Sequence, residues 1–321
     1  MRILITGATG LIGRALTQSL LDQGLRPRIV TRRPHRALEF FDNRVLAYEW
    51  HPRTEPLPRA ALDGVERVVH LMGEPLHGRL TRQRRAQIVA SRRNATQRLA
   101  EALGQQQAHV IVASSAAVYG FAEGPPLTET TPVQKPKSRI SQTLLACEEA
   151  VEQLRESGSV VTLVRMGPVI GPGGFLEGLV QLLGRRFAWR DAHADAAVPA
   201  IDHVDAASLL AWLALSRPVA GAVHGVAPQP LRTAELKQLL IEAAPATRLN
   251  LPRSMLRRRA GVMADFLYSR QRILPQLALD GGFKFARPDP LESVRSMLAQ
   301  HAAAAPAKRR GSLLGAVLQR S

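Results

Sequence analysis

The stretch Thr6-Gly7-Ala8-Thr9-Gly10-Leu11-Ile12-Gly13 decides how the rest of the chain is read. It follows Arg2-Ile3-Leu4-Ile5-Thr6, which reads as a short buried strand. Behind it, Leu11, Ala15, Leu16, Leu20 and Leu21 recur at helical spacing. A strand that passes through spaced glycines into a helix has the form of a dinucleotide-binding turn. Gly7 permits the sharp exit from the strand. Gly10 lets a pyrophosphate approach the backbone, and Gly13 lets helix and sheet pack closely. The helix N-terminus offers unpaired N–H groups and a positive dipole end to phosphate. Thr6, Thr9, Leu11 and Ile12 complete the predicted cofactor contacts of this turn.

Gly24 ends the helix, and Arg28-Ile29-Val30-Thr31 reads as the next strand, closing a βαβ unit. An NAD site usually carries an acid at the end of this second strand, bonded to the ribose 2′-hydroxyl. Here the sequence is Thr31-Arg32-Arg33. An acid would repel a 2′-phosphate, whereas guanidinium can grip it or stack on adenine. NADP(H) is therefore favoured over NAD(H).

Working outward, further strands are predicted at 44–48, 66–71, 109–114 and 160–165, with helices at 81–103 and 141–157. The alternation predicts an α/β fold, a Rossmann-like doubly wound parallel sheet. After Arg165, glycines and prolines mark a crossing into helices at 175–184, 204–216, 232–243 and 253–274. The expected organisation is a nucleotide-binding domain over 1–170, its sheet completed by parts of 171–230. A smaller C-terminal substrate lobe follows over 171–300, then a basic tail over 301–321.

Composition narrows the classes. The 321 residues are 45% hydrophobic and 21% charged, a globular balance. A single cysteine, Cys147, excludes an internal disulfide framework and a cysteine-based zinc cluster, and no metal site is expected. No signal peptide or membrane span is read, so a cytoplasmic protein is the default expectation. The net charge is +17, with only five lysines, so arginine carries the excess. Such charge fits nucleic-acid binders, but aromatics are only 4%, too few for stacking platforms. Seven arginines lie between Arg79 and Arg98 and six between Arg253 and Arg272, read as solvated faces or anion contacts.

Several stretches resemble the extended, or atypical, short-chain dehydrogenase/reductase superfamily. They resemble in particular its NAD-dependent epimerase/dehydratase-like branch, whose members are described as epimerase family or cell division inhibitor-like proteins. The glycine turn is the first of these stretches. The others are Val69-His70-Leu71-Met72-Gly73-Glu74-Pro75, Ser91-Arg92, Ser114-Ser115-Ala116-Ala117-Val118-Tyr119-Gly120, Arg165-Met166-Gly167-Pro168, Gly173-Gly174, Ile201-Asp202-His203-Val204-Asp205, Gly225-Val226-Ala227-Pro228 and Gly282-Phe283-Lys284-Phe285. The resemblance implies that Arg32 sits at the adenosine phosphate. It places Leu71, Gly73 and Glu74 on the nicotinamide side, reached by Arg92. Ser114 joins the cofactor contacts, Ser115 takes the catalytic Ser/Thr position, and a family domain of unknown function covers about 248–297. The implied chemistry is hydride transfer to or from a small carbonyl or alcohol, by a monomer or homodimer.

One departure bears on that chemistry. The superfamily's proton relay is a tyrosine with a lysine four positions on. Tyr48, Tyr119 and Tyr268 have Pro52, Glu123 and Arg272 at that spacing, and the aligned helix carries Ser141 and Leu145 in the two places. Glu74, His77, Ser115 and His203 remain as candidate proton carriers, with Glu74 and Ser115 preferred as catalytic residues. The alternative reading is a catalytically weak or inactive NADP(H)-binding regulator or redox sensor.

Overall fold

The computed structural model describes residues 1–76, 79–183, 187–189, 196–243 and 249–304. Strands apolar on both sides, the pattern of a sheet covered on two faces, alternate with helices. In chain order these are β1 (Ile3–Thr6), α1 (Leu11–Asp22), β2 (Arg28–Thr31), α2 (Pro34–Phe40), β3 (Leu46–Glu49), α3 (Arg59–Leu62), β4 (Arg67–His70), α4 (Arg82–Leu103) and β5 (His109–Ser115). A 3-10 turn over Ala116–Tyr119 leads on to α5 (Arg139–Glu149), α6 (Glu152–Glu156) and β6 (Val160–Met166). Then come β7 (Val169–Ile170), α7 (Phe175–Leu183), β8 (Phe187–Trp189), β9 (Ala197–Val198), β10 (Ile201–Asp202), α8 (His203–Leu215) and β11 (Gly221–Gly225). The chain continues through β12 (Leu231–Arg232), α9 (Thr233–Ala243), β13 (Leu249–Leu251), α10 (Arg253–Ala260), α11 (Val262–Leu267), α12 (Gln276–Asp280) and α13 (Pro290–Ala304).

Seven strands form one parallel sheet in the order β11-β6-β5-β4-β1-β2-β3. This is a Rossmann-like doubly wound sheet. Ile3, Ile5, Ile29, Val69, Ile111 and Val223 face α1 and α8, whereas Leu4, Val30, Val68, Val110 and Val161 face α3, α4 and α6. The outermost strand, β11, comes from the 171–230 stretch expected to complete the sheet.

Two predicted helices are broken. The helix expected over 141–157 parts at Ala150–Val151 into α5 and α6. The one expected over 253–274 stops at Ala260, because Gly261 takes a left-handed φ of 57° that a helix cannot continue through. Within that stretch helical structure ends at Leu267, and Ile273 bridges Leu127 instead. Helix α13 carries the start of the expected tail to Ala304, and the rest of the tail lies outside the described residues.

The C-terminal segments are held by two buried acids at the start of α8. Asp202 caps the helix by accepting from the Val204 N–H at 2.7 Å, and Arg287 Nη1 donates to its other oxygen at 2.8 Å. Burial alone would raise this carboxyl. The Val204 N–H, Arg287 and the adjacent His203 ring outweigh burial and hold it well below the usual range. Asp205 accepts the backbone N–H groups of Ala286 and Arg287 at 2.8 and 2.9 Å.

Near the C-terminal strand ends, on the α4–α5 face, Thr6 Oγ1 lies 2.8 Å from His70 Nδ1 and Thr96 Oγ1 3.4 Å from His70 Nε2. On the opposite face, at the start of β5, His109 Nε2 meets Thr162 Oγ1 at 2.7 Å. Burial, and then a neighbouring arginine charge, lowers both histidines to about 4.

Two measurements check this account. Asp202→Ala should cost about 2–4 kcal/mol in urea unfolding, the sum of a lost cap and a lost charge-assisted bond. Both histidines are neutral in the fold but protonate near 6.5 when unfolded, so the unfolded state binds more protons as pH falls. Stability should therefore drop between about pH 6.5 and pH 4, by up to about 3 kcal/mol for His70, and His70→Gln should flatten that part of the curve.

Candidate functional site

The glycine turn is built as its spacing predicts. Gly7 has φ 73°, and a Cβ there would lie 3.0 Å from the Leu71 carbonyl carbon. A Cβ on Gly13 would meet the Gly7 oxygen at 2.2 Å. Gly10 caps α1 in extended conformation, and its N–H closes the turn on Gly7 O at 3.0 Å. Thr9 lies at the mouth of an open cleft and accepts from Arg14 Nε through its carbonyl oxygen at 2.8 Å. Thr6 differs from the other turn residues: its hydroxyl is buried and bonded to His70.

The cleft has a volume of about 910 Å³ beside the end of β2. Thr31, Arg32 and Arg33 line it as a group, joined by Arg14 and Arg36. The Arg14 guanidinium stacks 4.5 Å above the ring of Phe40, which is 53% exposed. Glu39 and His51 also border the cleft, so arginines outnumber acids there. Sequence reasoning missed Arg14 and Arg36. Arg14 directly follows the last glycine of the turn, and Arg36 sits in the first turn of α2, so position alone could have marked them.

The loop after β4 lies against the same turn. Arg92 is packed so tightly on Gly73 that a Cβ there would meet its Cζ at 2.7 Å. Its Nη1 donates to the Glu74 carbonyl at 2.9 Å, and the Glu74 N–H donates to Ser91 Oγ at 3.0 Å. Leu71, Gly73, Glu74 and Arg92 are thus brought together. The Glu74 carboxylate, however, is paired with Arg84 at 2.9 Å. The arginine run on α4 is less solvated than expected. Arg84, Arg85, Arg92 and Arg98 all donate to backbone carbonyls, at Pro75, Leu80, Glu74 and Pro52.

Ser114 and Ser115 end β5. Ser114 Oγ donates to Glu148 Oε1 at 2.5 Å. Ser115, 6% exposed, accepts the Ala117 N–H at 3.3 Å. Ser141 is fully buried, and its hydroxyl donates to Ala117 O at 2.6 Å. Leu145, one turn on, is half-buried against the apolar core of the C-terminal segments.

Sequence reasoning also missed a charged chain behind the serines. Glu148 accepts two bonds from Arg165, at 3.1 and 2.9 Å. Arg165 Nη1 donates to the Tyr119 hydroxyl at 2.6 Å, and that hydroxyl lies 2.8 Å from His224 Nε2. His224 Nδ1 lies 2.8 Å from Leu274 O, a contact that requires the proton on Nδ1. Burial lowers His224 from its ordinary value, so the ring is neutral and Nε2 accepts from Tyr119. Register explains the grouping, because Ser114 pairs with Arg165 and Arg165 with His224 across three strands.

The remaining candidates lie apart from this arrangement. His203 rests on Gly171, 3.3 Å from Asp202. His77 lies outside the described residues. Burial pushes the Cys147 thiol up. Among the described residues no cluster of metal ligands occurs, and no helix is long and apolar enough to cross a membrane.

Comparison with known proteins places this arrangement. The family described as NAD dependent epimerase/dehydratase matches residues 3–201. An epimerase family protein of Bacillus subtilis, YfhF, is 26% identical over 93% of this chain and 98% of its own. A 3-diazoavenalumate denitrifying reductase of a Streptomyces species is 30% identical over 73% of this chain and 79% of its own. The crystal structure of the human epimerase family protein SDR39U1 with NADPH superposes with a TM-score of 0.75. It shares 25% identity and covers 94% of this chain and 99% of that one. The family match begins in β1 and runs through the glycine turn, the serine strand and the crossing after β6. The chain accordingly belongs to the NAD dependent epimerase/dehydratase family, within the extended short-chain dehydrogenases/reductases.

Proposed function

We propose that this protein binds NADP(H) across the strand ends and acts as an oxidoreductase of the extended short-chain type. The observation that carries the reading is the cleft holding Arg14, Arg32, Arg33 and Arg36 beside the glycine turn. Guanidinium groups are suited to bidentate binding of phosphate, and a 2′-phosphate distinguishes NADP(H) from NAD(H). The helix N-terminus after Gly10, which carries no side chain there, fits a pyrophosphate, with Thr9, Leu11 and Ile12 beside it. The human relative crystallised with NADPH supports the same cofactor.

Bound NADPH supplies a hydride and the affinity of its phosphates. The chain's own groups do the rest. Thr31, Arg32 and Arg33 orient the adenosine end. Leu71 and Gly73 form the floor of the nicotinamide end, with Arg92 and Glu74 holding that loop in place. Thr6 and Ser114 act from behind through their buried bonds to His70 and Glu148. Ser115 orients the substrate through its hydroxyl. The relative named as a reductase supports turnover. One observation favours a second reading, a binding protein without turnover: Ser141 and Leu145 stand where the relay would be, and the Ser141 hydroxyl is spent on Ala117 O.

NADPH should raise the melting temperature more than NADH does, since saturation at a hundredfold Kd adds about 2.7 kcal/mol. Arg32→Glu should weaken NADPH binding by about ten- to a hundredfold, the loss of charge-assisted bonds, and remove the preference. Equal shifts from both cofactors would refute the 2′-phosphate assignment.

A further inference from the structure

We propose that Arg14, held by the exposed ring of Phe40, is the residue that chiefly reads the cofactor's 2′-phosphate, and that Phe40 is its positioning residue. The proposal rests on the NADP(H) reading above and separates the arginines that carry it.

Those arginines are not equivalent. Arg32, Arg33 and Arg36 are exposed, and their guanidinium groups meet no hydrogen-bond, ion-pair or ring partner among the described residues. Each must give up rotamer freedom to grip a phosphate, which offsets much of what an exposed contact gains. Arg14 is exposed too, but two contacts fix its head. Its Nε–H donates to the Thr9 carbonyl oxygen at 2.8 Å, and its Cζ lies 4.5 Å from the centre of the Phe40 ring. That ring is fixed in its turn. It closes α2 and stands edge-on to Phe41, with centres 4.9 Å apart at 86°, and Phe41 is buried.

A guanidinium carries five N–H bonds in one plane. With Nε spent on Thr9, the N–H bonds of Nη1 and Nη2 find no protein acceptor among the described residues, and Arg14 lines the cleft. That edge is a fork shaped for two phosphate oxygens. Thr9 ties the fork to the glycine turn and Phe40 ties it to α2, so it is set between the two segments that border the cleft. A group ordered before the ligand arrives loses little entropy on binding, and so contributes more of its hydrogen bonding to affinity. Charge at the end of β2 marks Arg32 and Arg33, whereas order marks Arg14.

The test measures binding of adenosine 2′,5′-bisphosphate and adenosine 5′-monophosphate to the full chain by calorimetry. The two differ only in the 2′-phosphate, so their affinity ratio isolates that group from the adenine and the glycine turn. Arg14→Gln should cut the ratio by about tenfold or more, but Arg33→Gln or Arg36→Gln by less than about fivefold. Phe40→Ala should cut it about three- to fivefold and Phe40→Tyr less than about twofold. With Arg14→Gln already in place, Phe40→Ala should change the ratio no further, because the ring acts through the guanidinium. Arg14→Lys keeps the charge without the fork and should retain less than about half of the ratio. It also decides the matter if Arg14→Gln does not fold. A ratio unchanged by Arg14→Gln or Arg14→Lys would overturn the proposal. So would a Phe40→Ala loss shared equally by both nucleotides, which would make the ring a seat for adenine. In each case a preference for the bisphosphate in the unaltered chain leaves the NADP(H) reading standing. Equal binding of the two nucleotides by the unaltered chain would overturn that reading itself.

Discussion

The contact between backbone and backbone at the glycine turn is the constraint on which the site depends. Gly7 sits against the carbonyl of Leu71, and Gly13 against the oxygen of Gly7. With no Cβ at either place, β1 turns directly into α1 and the loop after β4 closes down beside it. This brings three strand ends to one edge of the sheet. The arginine cleft after β2, the Gly73–Arg92 stack after β4 and the serines after β5 all open there. Side chains at Gly7 or Gly13 would force these segments apart by their own volume.

Behind that edge a buried polar layer lies on one face of the sheet. Thr6 pairs with His70 across β1 and β4, and Arg165 pairs with Ser114 on one side and His224 on the other across β5, β6 and β11. Each finds a partner on the same layer or on the helices above it, as buried polar groups must. Glu129 extends the network by accepting from the His224 and Leu277 N–H groups at 3.1 and 3.2 Å. Hydrogen bonds thereby tie the C-terminal segments to the sheet here, and to the start of α8 at Asp202 and Asp205. The arginine excess also acquires structural uses. Much of α4's basic run terminates its neighbours' carbonyls, and Arg253 and Arg257 both reach the buried Asp265, at 3.6 and 3.3 Å.

Local pattern was enough wherever a residue's effect depends on its near neighbours in the chain. The turn from Thr6 to Gly13, the strands and the basic pair Arg32-Arg33 could be read directly. They express periodicity, absence of a side chain, or charge at a strand end. Helix breaks were harder. Gly261 lies within an apparently helical pattern, and its φ of 57° separates α10 from α11. Arg14 and Arg36 enter the cleft only because α1 and α2 both start at the same edge.

The doubly wound sheet, the place of the glycine turn and the lack of a tyrosine–lysine spacing are all legible in the residue order. These are properties of residue type and spacing along the chain. Tertiary structure alone decided which polar groups remain available. Tyr119 and His224 are 105 residues apart, yet they share a proton because β11 pairs beside β6. Glu74 looked free until Arg84 folded onto it, and Ser141 looked like a hydroxyl in a catalytic place until Ala117 accepted its proton. Hydrogen bonds join atoms that are close in space, and closeness across the sheet is set by strand order, which no local pattern records.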